Sequence, residues 1–165
     1  MKMLYLIRHA KSSWDHPELR DIDRPLGSRG LRDAPFMATM IRKEGVKPDK
    51  IVSSPARRAH TTAIFFANGL GMDAQEIVLN EDIYEAFGSD ILRIANHWPD
   101  DWNTVFLFGH NPTFTTVANY FADEMIDNVP TCGIVAISLD ADRWKDVERG
   151  AGSVLHFWYP KQFNR

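Results

Sequence analysis

The sequence alternates short apolar segments with longer segments that carry helix start and stop signals, and this alternation restricts the fold class. Four short apolar segments are predicted as buried strands: residues 3–7, 50–53, 76–79 and 104–108. Helices are predicted between and after them, over residues 28–44, 55–67, 89–98 and 113–122. Two final strands, 133–139 and 154–159, have no clear helix between them. The pattern predicts a three-layer α/β/α domain with a mostly parallel central sheet and an antiparallel edge strand.

Three of the predicted helices begin at a serine or directly after one, and we expect Ser28, Ser54 and Ser89 to cap them through their hydroxyl groups. Ser54 is followed by Pro55, which suits the first position of a helix. Pro35 lies inside the first helix, where it lacks an N–H group and is predicted to kink the helix or separate its first turn.

Length, charge and cysteine content restrict the class of protein. A chain of 165 residues is expected to form a single domain, residues 1–165. The net charge of −3, without a block of like charges, argues against nucleic acid as a main partner. One cysteine, Cys132, allows no disulfide framework and no cysteine metal cluster. No segment approaches the ~20 apolar residues of a membrane span, and the apolar run before Arg8 is too short for a signal-peptide core, so we expect a cytoplasmic protein with no membrane partner.

Charged and polar residues follow three of the predicted strands at the point where each strand ends. Arg8 and His9 end the first strand, the helix after the second carries Arg57 and Arg58, and His110 follows the fourth. Ligands of open α/β sheets bind at the carboxyl ends of the strands. If these strands are neighbours, their side chains converge on one crevice. Arginine forks match phosphate oxygens, and a helix N-terminus adds N–H donors, so the set favours a tetrahedral dianion.

Three motifs, each at a strand end, resemble those of the histidine phosphatase superfamily, whose fold is phosphoglycerate mutase-like. They are Arg8-His9-Ala10, Ser54-Pro55-Ala56-Arg57-Arg58-Ala59 and Gly109-His110-Asn111-Pro112. The opening Arg8-His9-Ala10-Lys11-Ser12-Ser13-Trp14 and the later Arg24-Pro25-Leu26 are most similar to the SixA-type branch, named for a phosphohistidine phosphatase. The resemblance covers roughly residues 3–125. It implies a metal-independent phosphatase that passes through a covalent phosphohistidine.

The resemblance also implies roles for particular residues. His9 matches the nucleophile, and Arg8 matches the arginine that grips the phosphoryl group beside it. The family pattern Ser-Pro-x-x-Arg-Ala selects Arg58 rather than Arg57. His110 matches the second histidine, a donor to the phosphoryl oxygens that we expect to be protonated. No cofactor is implied, and no histidine pair lies at metal-ligand spacing with carboxylates, so we expect no metal site.

A leaving group usually needs a proton, so a carboxylic acid is expected near the site. Glu81, which follows the third strand, is the first candidate, Glu85 is the second, and SixA-type proteins as a group lack a well-placed acid. Lys11 and Ser12 follow the nucleophile closely and are candidates for contact with phosphate or substrate. Three charged residues of the loop over 11–27 are interpreted as ion pairs that shape it: Asp21, Asp23 and Arg24.

These observations predict a phosphatase that acts on phosphohistidine in a phosphoprotein. A phosphatase for a small phosphomonoester is the first alternative. A non-catalytic phosphate-binding module is the second, although such a module has no need of the nucleophile His9.

Overall fold

A six-stranded mixed sheet forms the centre of the computed structural model, which describes residues 1–165. The strands are β1 Lys2–Arg8, β2 Lys50–Ser53, β3 Val78–Leu79, β4 Thr104–Gly109, β5 Ile134–Leu139 and β6 Gly152–Trp158. They lie in the order β3-β2-β4-β1-β5-β6. The pairs β3–β2, β2–β4 and β4–β1 are parallel, whereas β5 is antiparallel to both β1 and β6. The predicted mostly parallel sheet with an antiparallel edge is confirmed.

Four α-helices cover the two faces of this sheet: α1 Ser28–Lys43, α2 Arg57–Gly69, α3 Gly88–Asn96 and α4 Thr113–Asn119. Alternate residues of a strand point to opposite faces, so each central strand contributes to two cores. Tyr5 and Ile7 of β1 pack with α1 and α2, while Leu4 and Leu6 pack with α3 and α4. Burial of both faces explains why the central strands are almost continuously apolar, and it confirms the three-layer α/β/α class.

The serine caps predicted for three helices are wrong. Gly27 occupies the cap position of α1, with Ser28 as its first helical residue. Ala56 occupies the cap position of α2. The Ser54 hydroxyl accepts the Ala56 N–H in a turn before the helix. At α3 the Asp90 carboxylate, rather than Ser89, accepts the backbone N–H of the capping residue.

Pro35 does not separate the first turn of α1, which runs without interruption from Ser28 to Lys43. Pro35 and Leu31, one turn earlier, both lie on the exposed face of the helix. Water can therefore hydrate the Leu31 carbonyl that proline leaves without its usual partner.

Strand β3 begins at Val78, two residues later than predicted, because Ala74–Glu76 form a 3-10 turn. The Asp73 carboxylate caps this turn by accepting the Gln75 N–H at 2.9 Å. A second 3-10 turn, Glu81–Ile83, follows β3, and a third, Asp21–Asp23, lies in the loop between β1 and α1. None of the helices is long and apolar enough to cross a membrane.

Candidate active site

The sheet order brings together the three strand ends that carry the motifs. β4 lies between β1 and β2, and its Gly109 is in register with Arg8. The His9 N–H donates to the Gly109 carbonyl at 3.0 Å, and the Ser54 N–H donates to the Phe108 carbonyl at 3.0 Å. These bonds continue the parallel ladders by one residue beyond the strands. They place the His9 and His110 rings side by side, with centroids 5.4 Å apart.

His9 is held in one tautomer by its own backbone. Its Nδ1 lies 2.8 Å from the Ala10 carbonyl oxygen, which can only accept, so Nδ1 carries the proton and Nε2 keeps its lone pair. The pKa of His9 is lowered to about 3, mainly by burial; the Ala10 bond opposes this shift, and the nearby His110, Arg58 and Arg8 contribute to it. His9 is therefore a neutral imidazole near pH 7 with Nε2 available as a nucleophile.

The two arginines are each anchored through terminal nitrogens. Arg8 Nη1 donates to the Val129 carbonyl at 3.0 Å. Arg58 Nη1 donates to the Asp21 carbonyl at 2.7 Å, and Arg58 Nη2 donates to the Asp21 carboxylate at 3.0 Å. The backbone of α2 is tied to β1 as well, since the Thr62 hydroxyl accepts the Ala10 N–H and donates to the Arg58 carbonyl. Both guanidinium groups are thus held by hydrogen bonds from their terminal nitrogens.

His110 is oriented by Ser54. Its Nε2 lies 2.8 Å from the Ser54 hydroxyl oxygen, which also accepts the Ala56 N–H. Burial lowers the pKa of His110 to about 4, with Arg58 as the next largest cause, so the ring is neutral near pH 7 rather than protonated as the sequence analysis expects. The Ser54 hydroxyl has no other acceptor for its own proton, so in the neutral ring it donates to Nε2, which leaves the ring proton on Nδ1. His110 can then donate a hydrogen bond without being a cation.

Three buried side-chain nitrogens in the protein have no hydrogen-bond partner, and all of them belong to this cluster: Arg8 Nε, Arg58 Nε and His110 Nδ1. A buried donor without a partner costs about 1–3 kcal/mol, so such atoms are rare away from functional sites. The His110 ring lies 5.4 Å from the His9 ring, and the charges of Arg58 and Arg8 contribute to the lowered pKa of His9. A ligand with several acceptor oxygens, such as a phosphoryl group, would satisfy these donors beside Nε2 of His9.

The other predicted site residues make no hydrogen bond or ion pair with this cluster. The Glu81 side chain is exposed and unpaired, and Glu85 lines a separate cavity of about 590 Å³ on the α3 side. Lys11 is exposed. The Ser12 hydroxyl is buried and accepts a hydrogen bond of 2.8 Å from Arg24 Nη1. None of these side chains is held against His9, so their proposed contacts with substrate stay predictions.

Three residues at the cluster have contacts that the sequence analysis did not assign. The sequence predicts Ser54 as a helix cap, yet its hydroxyl orients His110. The sequence also indicates a loop ion pair at Asp21, and the structure shows that Asp21 anchors Arg58. Tyr84 packs edge-on against His110, with ring centroids 5.6 Å apart, and donates to Asp21 at 2.6 Å. The Ser-Pro motif is the sequence feature that marks Ser54 as a site residue, whereas no local pattern marks Asp21 or Tyr84.

We expect the rings of His9 and His110 to remain neutral from pH 7 down to about pH 5, because burial and the two arginines disfavour the imidazolium. The unfolded chain protonates the same rings near pH 6.5, so the free energy of unfolding should decrease as the pH falls below that value. An NMR titration of the ring resonances, assigned with His9→Ala and His110→Ala, tests this. A midpoint near 6.5 for either ring would contradict it.

Comparison with known proteins places this chain in a family. An uncharacterised protein of Mycobacterium tuberculosis is 29% identical over 165 residues, covering 94% of this chain and 100% of that protein. A crystal structure from Agrobacterium tumefaciens, of a protein provisionally named phosphohistidine phosphatase SixA, is 27% identical with a TM-score of 0.81 over 96% of this chain and 98% of that chain.

The mycobacterial glucosyl-3-phosphoglycerate phosphatase Rv2419c is 14% identical, with a TM-score of 0.65 over 93% of this chain and 100% of that chain, and it shares the fold. The fold is the predicted phosphoglycerate mutase-like one. Residues 4–102 match the model of the histidine phosphatase superfamily, branch 1, and this match includes three of the four clustered residues: Arg8, His9 and Arg58. The chain therefore belongs to the histidine phosphatase superfamily.

Proposed function

We propose that this chain is a phosphatase that forms a covalent phosphohistidine on His9. The observation that carries the proposal is a neutral His9, with Nε2 unprotonated, next to the three buried and unpartnered N–H donors of Arg8, Arg58 and His110. A module that only binds phosphate would need the donors but not a nucleophile. Family membership supports the same chemistry.

In the first proposed step, the lone pair of His9 Nε2 attacks phosphorus while the bond from phosphorus to the leaving group breaks. Arg8, Arg58 and the Nδ1–H of His110 bind the phosphoryl oxygens, whose charge dominates the transition state. In the second step, water attacks phosphorus as the Nε2–P bond breaks, the two protons of the water leave with the phosphate, and His9 returns to its neutral form. Two guanidinium groups supply the positive charge that a metal ion would otherwise provide.

Phosphohistidine in a protein is the proposed substrate. The one carboxyl group that is hydrogen-bonded to the cluster, Asp21, has a pKa lowered to about 2 and holds no proton to donate, so a good substrate must leave with little acid catalysis. Imidazole that is protonated on its other nitrogen leaves as a neutral group and meets this requirement. Between β3 and β4 the chain forms only a 3-10 turn and the nine-residue α3, without a long inserted lid, which suits a protein surface. The likeness to the A. tumefaciens protein supports this choice.

A small phosphomonoester is a second candidate substrate, and a cleft beside Arg8 favours it. A cleft of about 380 Å³ adjoins Arg8, and apart from Pro112 its lining residues carry polar groups; Asn111, Thr115, Asp127 and Asn128 are among them. Such a cleft would accept the polar remainder of a phosphorylated metabolite. The two candidates differ in the leaving group, and that difference can be measured.

A substrate panel compared by kcat/KM tests the proposed function. Without a general acid, we expect a phosphohistidine protein and an activated aryl phosphate to exceed phosphoserine and sugar phosphates by about 10² or more. The assays include a chelator, which should not reduce the rates, and His9→Ala protein controls for contaminating phosphatases. A sugar phosphate or phosphoserine as the best substrate would instead favour the second candidate.

A further inference from the structure

We propose that Asp21 is a positioning residue for Arg58, holding the outer end of the guanidinium so that its Nε edge faces the phosphoryl group. The inference deepens the proposed function and rests on it. Asp21 belongs to the 3-10 turn Asp21–Asp23 of the loop between β1 and α1, far in sequence from α2. Neither the motifs nor the charge pattern of the loop distinguishes it from its neighbour Asp23.

Asp21 occupies one edge of the guanidinium. A guanidinium group presents two forked edges, one between its terminal nitrogens and one that includes Nε. The Asp21 carbonyl accepts from Arg58 Nη1 at 2.7 Å and its carboxylate accepts from Nη2 at 3.0 Å, so the terminal edge is filled. The other edge retains the buried Nε, which has no partner. Asp21 thereby selects the edge that is left for substrate oxygens.

The Asp21 carboxylate itself accepts hydrogen bonds from one donor in another segment and from one donor in its own loop. The Tyr84 hydroxyl, which follows β3, donates to Oδ2 at 2.6 Å, and Arg24 Nε donates to Oδ1 at 3.1 Å. The Tyr84 bond is the largest cause that lowers the pKa of Asp21 to about 2, so the carboxylate stays ionised at every working pH. Because the Tyr84 ring also packs edge-on against His110, one side chain contacts both Asp21 and His110.

This arrangement predicts a particular kinetic signature. The Asp21 carboxylate partly offsets the charge of Arg58, so removing it does not weaken the attraction between Arg58 and a phosphate anion. It does release the guanidinium from the orientation that the transition state needs. Loss of orientation lowers kcat, and a misplacement of about 1 Å can cost about 10²-fold. We therefore expect a change in kcat that exceeds any change in KM or in phosphate binding.

The test compares Asp21→Asn with Asp23→Asn, the same substitution two residues later in the same 3-10 turn. Asp23 is paired with Arg20 at the surface and has no bond to Arg58. With an aryl phosphate, Asp21→Asn should lower kcat by about 10- to 100-fold, with KM and the inhibition constant of phosphate within about threefold. Tyr84→Phe should lower kcat by about 3- to 10-fold. Asp23→Asn should match the wild type.

A double-mutant cycle separates positioning from a general structural role. In an Arg58→Ala background, Asp21→Asn should change kcat by less than about twofold, because the group that it positions is absent. The inference is overturned if Asp21→Asn alone stays within about twofold of Asp23→Asn, or if its loss is equally large in the Arg58→Ala background. If Asp21→Asn does not fold, as judged by thermal melting, the same two criteria apply to Tyr84→Phe.

A readout that does not depend on activity keeps this inference separate from the proposed function. The Arg58 Nε–H resonance should be sharp and slow to exchange in the wild type and should shift on addition of tungstate. Asp21→Asn should speed its exchange, whereas Asp23→Asn should not. If the wild type hydrolyses no phosphorylated substrate, the proposed function fails and this resonance still decides the inference, which an exchange rate unchanged in Asp21→Asn would contradict.

Discussion

His9→Ala is expected to lower kcat by about 10⁴-fold or more, while phosphate or tungstate still binds. Alanine removes Nε2, the only group at the cluster placed to accept the phosphoryl group. It leaves the donors of Arg8, Arg58 and His110 in place, since none of them is hydrogen-bonded to the His9 ring. Loss of chemistry with retention of binding is the signature of a nucleophile.

The covalent intermediate gives a direct measurement. A brief reaction with labelled substrate, quenched at alkaline pH where phosphohistidine survives better than in acid, should trap label on the wild type and none on His9→Ala. His156→Ala is a matched control, because His156 is exposed on β6 and stacks on Trp158. Turnover by His9→Ala near the wild-type rate, or label trapped on that variant, would show that β1 does not deliver the nucleophile.

Much of the architecture could be predicted because it depends on local sequence. The alternation of apolar strands with helices specifies a parallel sheet, and parallel strands that are neighbours end at the same edge. The sequence therefore predicts that Arg8 and His110 lie together if β1 and β4 are neighbours. The strand boundaries were reliable at β2, which is buried, and poor at β3, where the Asp73-capped turn replaces two residues of strand.

The remaining features depend on contacts distant in sequence. The Ser54 hydroxyl has the local appearance of a helix cap, but its partner, His110, lies 56 residues later. The protonation state of His110 follows from burial and from the charge of Arg58, neither of which the motif reveals. Asp21 lies in a loop without periodicity, 37 residues before Arg58, and the sequence offered Asp23 as an equal candidate for any role.

Arg58→Ala is expected to lower kcat/KM by about 10²–10³-fold, and Arg8→Ala by a similar factor. Each guanidinium binds phosphoryl oxygens in both the ground state and the transition state, so KM should rise and kcat should fall together. Arg57→Ala is the matched control, since Arg57 is the neighbouring arginine, is exposed and makes no hydrogen bond or ion pair. It should retain turnover within about twofold, as surface substitutions generally do.

Arg58→Lys separates charge from geometry at the same position. Lysine keeps the positive charge, yet it has neither an Nε edge to present to phosphate nor two terminal nitrogens for Asp21. We expect it to recover phosphate affinity more fully than kcat, leaving at least about a tenfold deficit in turnover. Steady-state kinetics with an aryl phosphate and inhibition by phosphate measure both. If Arg57→Ala were as damaging as Arg58→Ala, or if Arg58→Lys restored full activity, the forked contact would not be the source of catalysis, and a diffuse positive potential would explain the cluster instead.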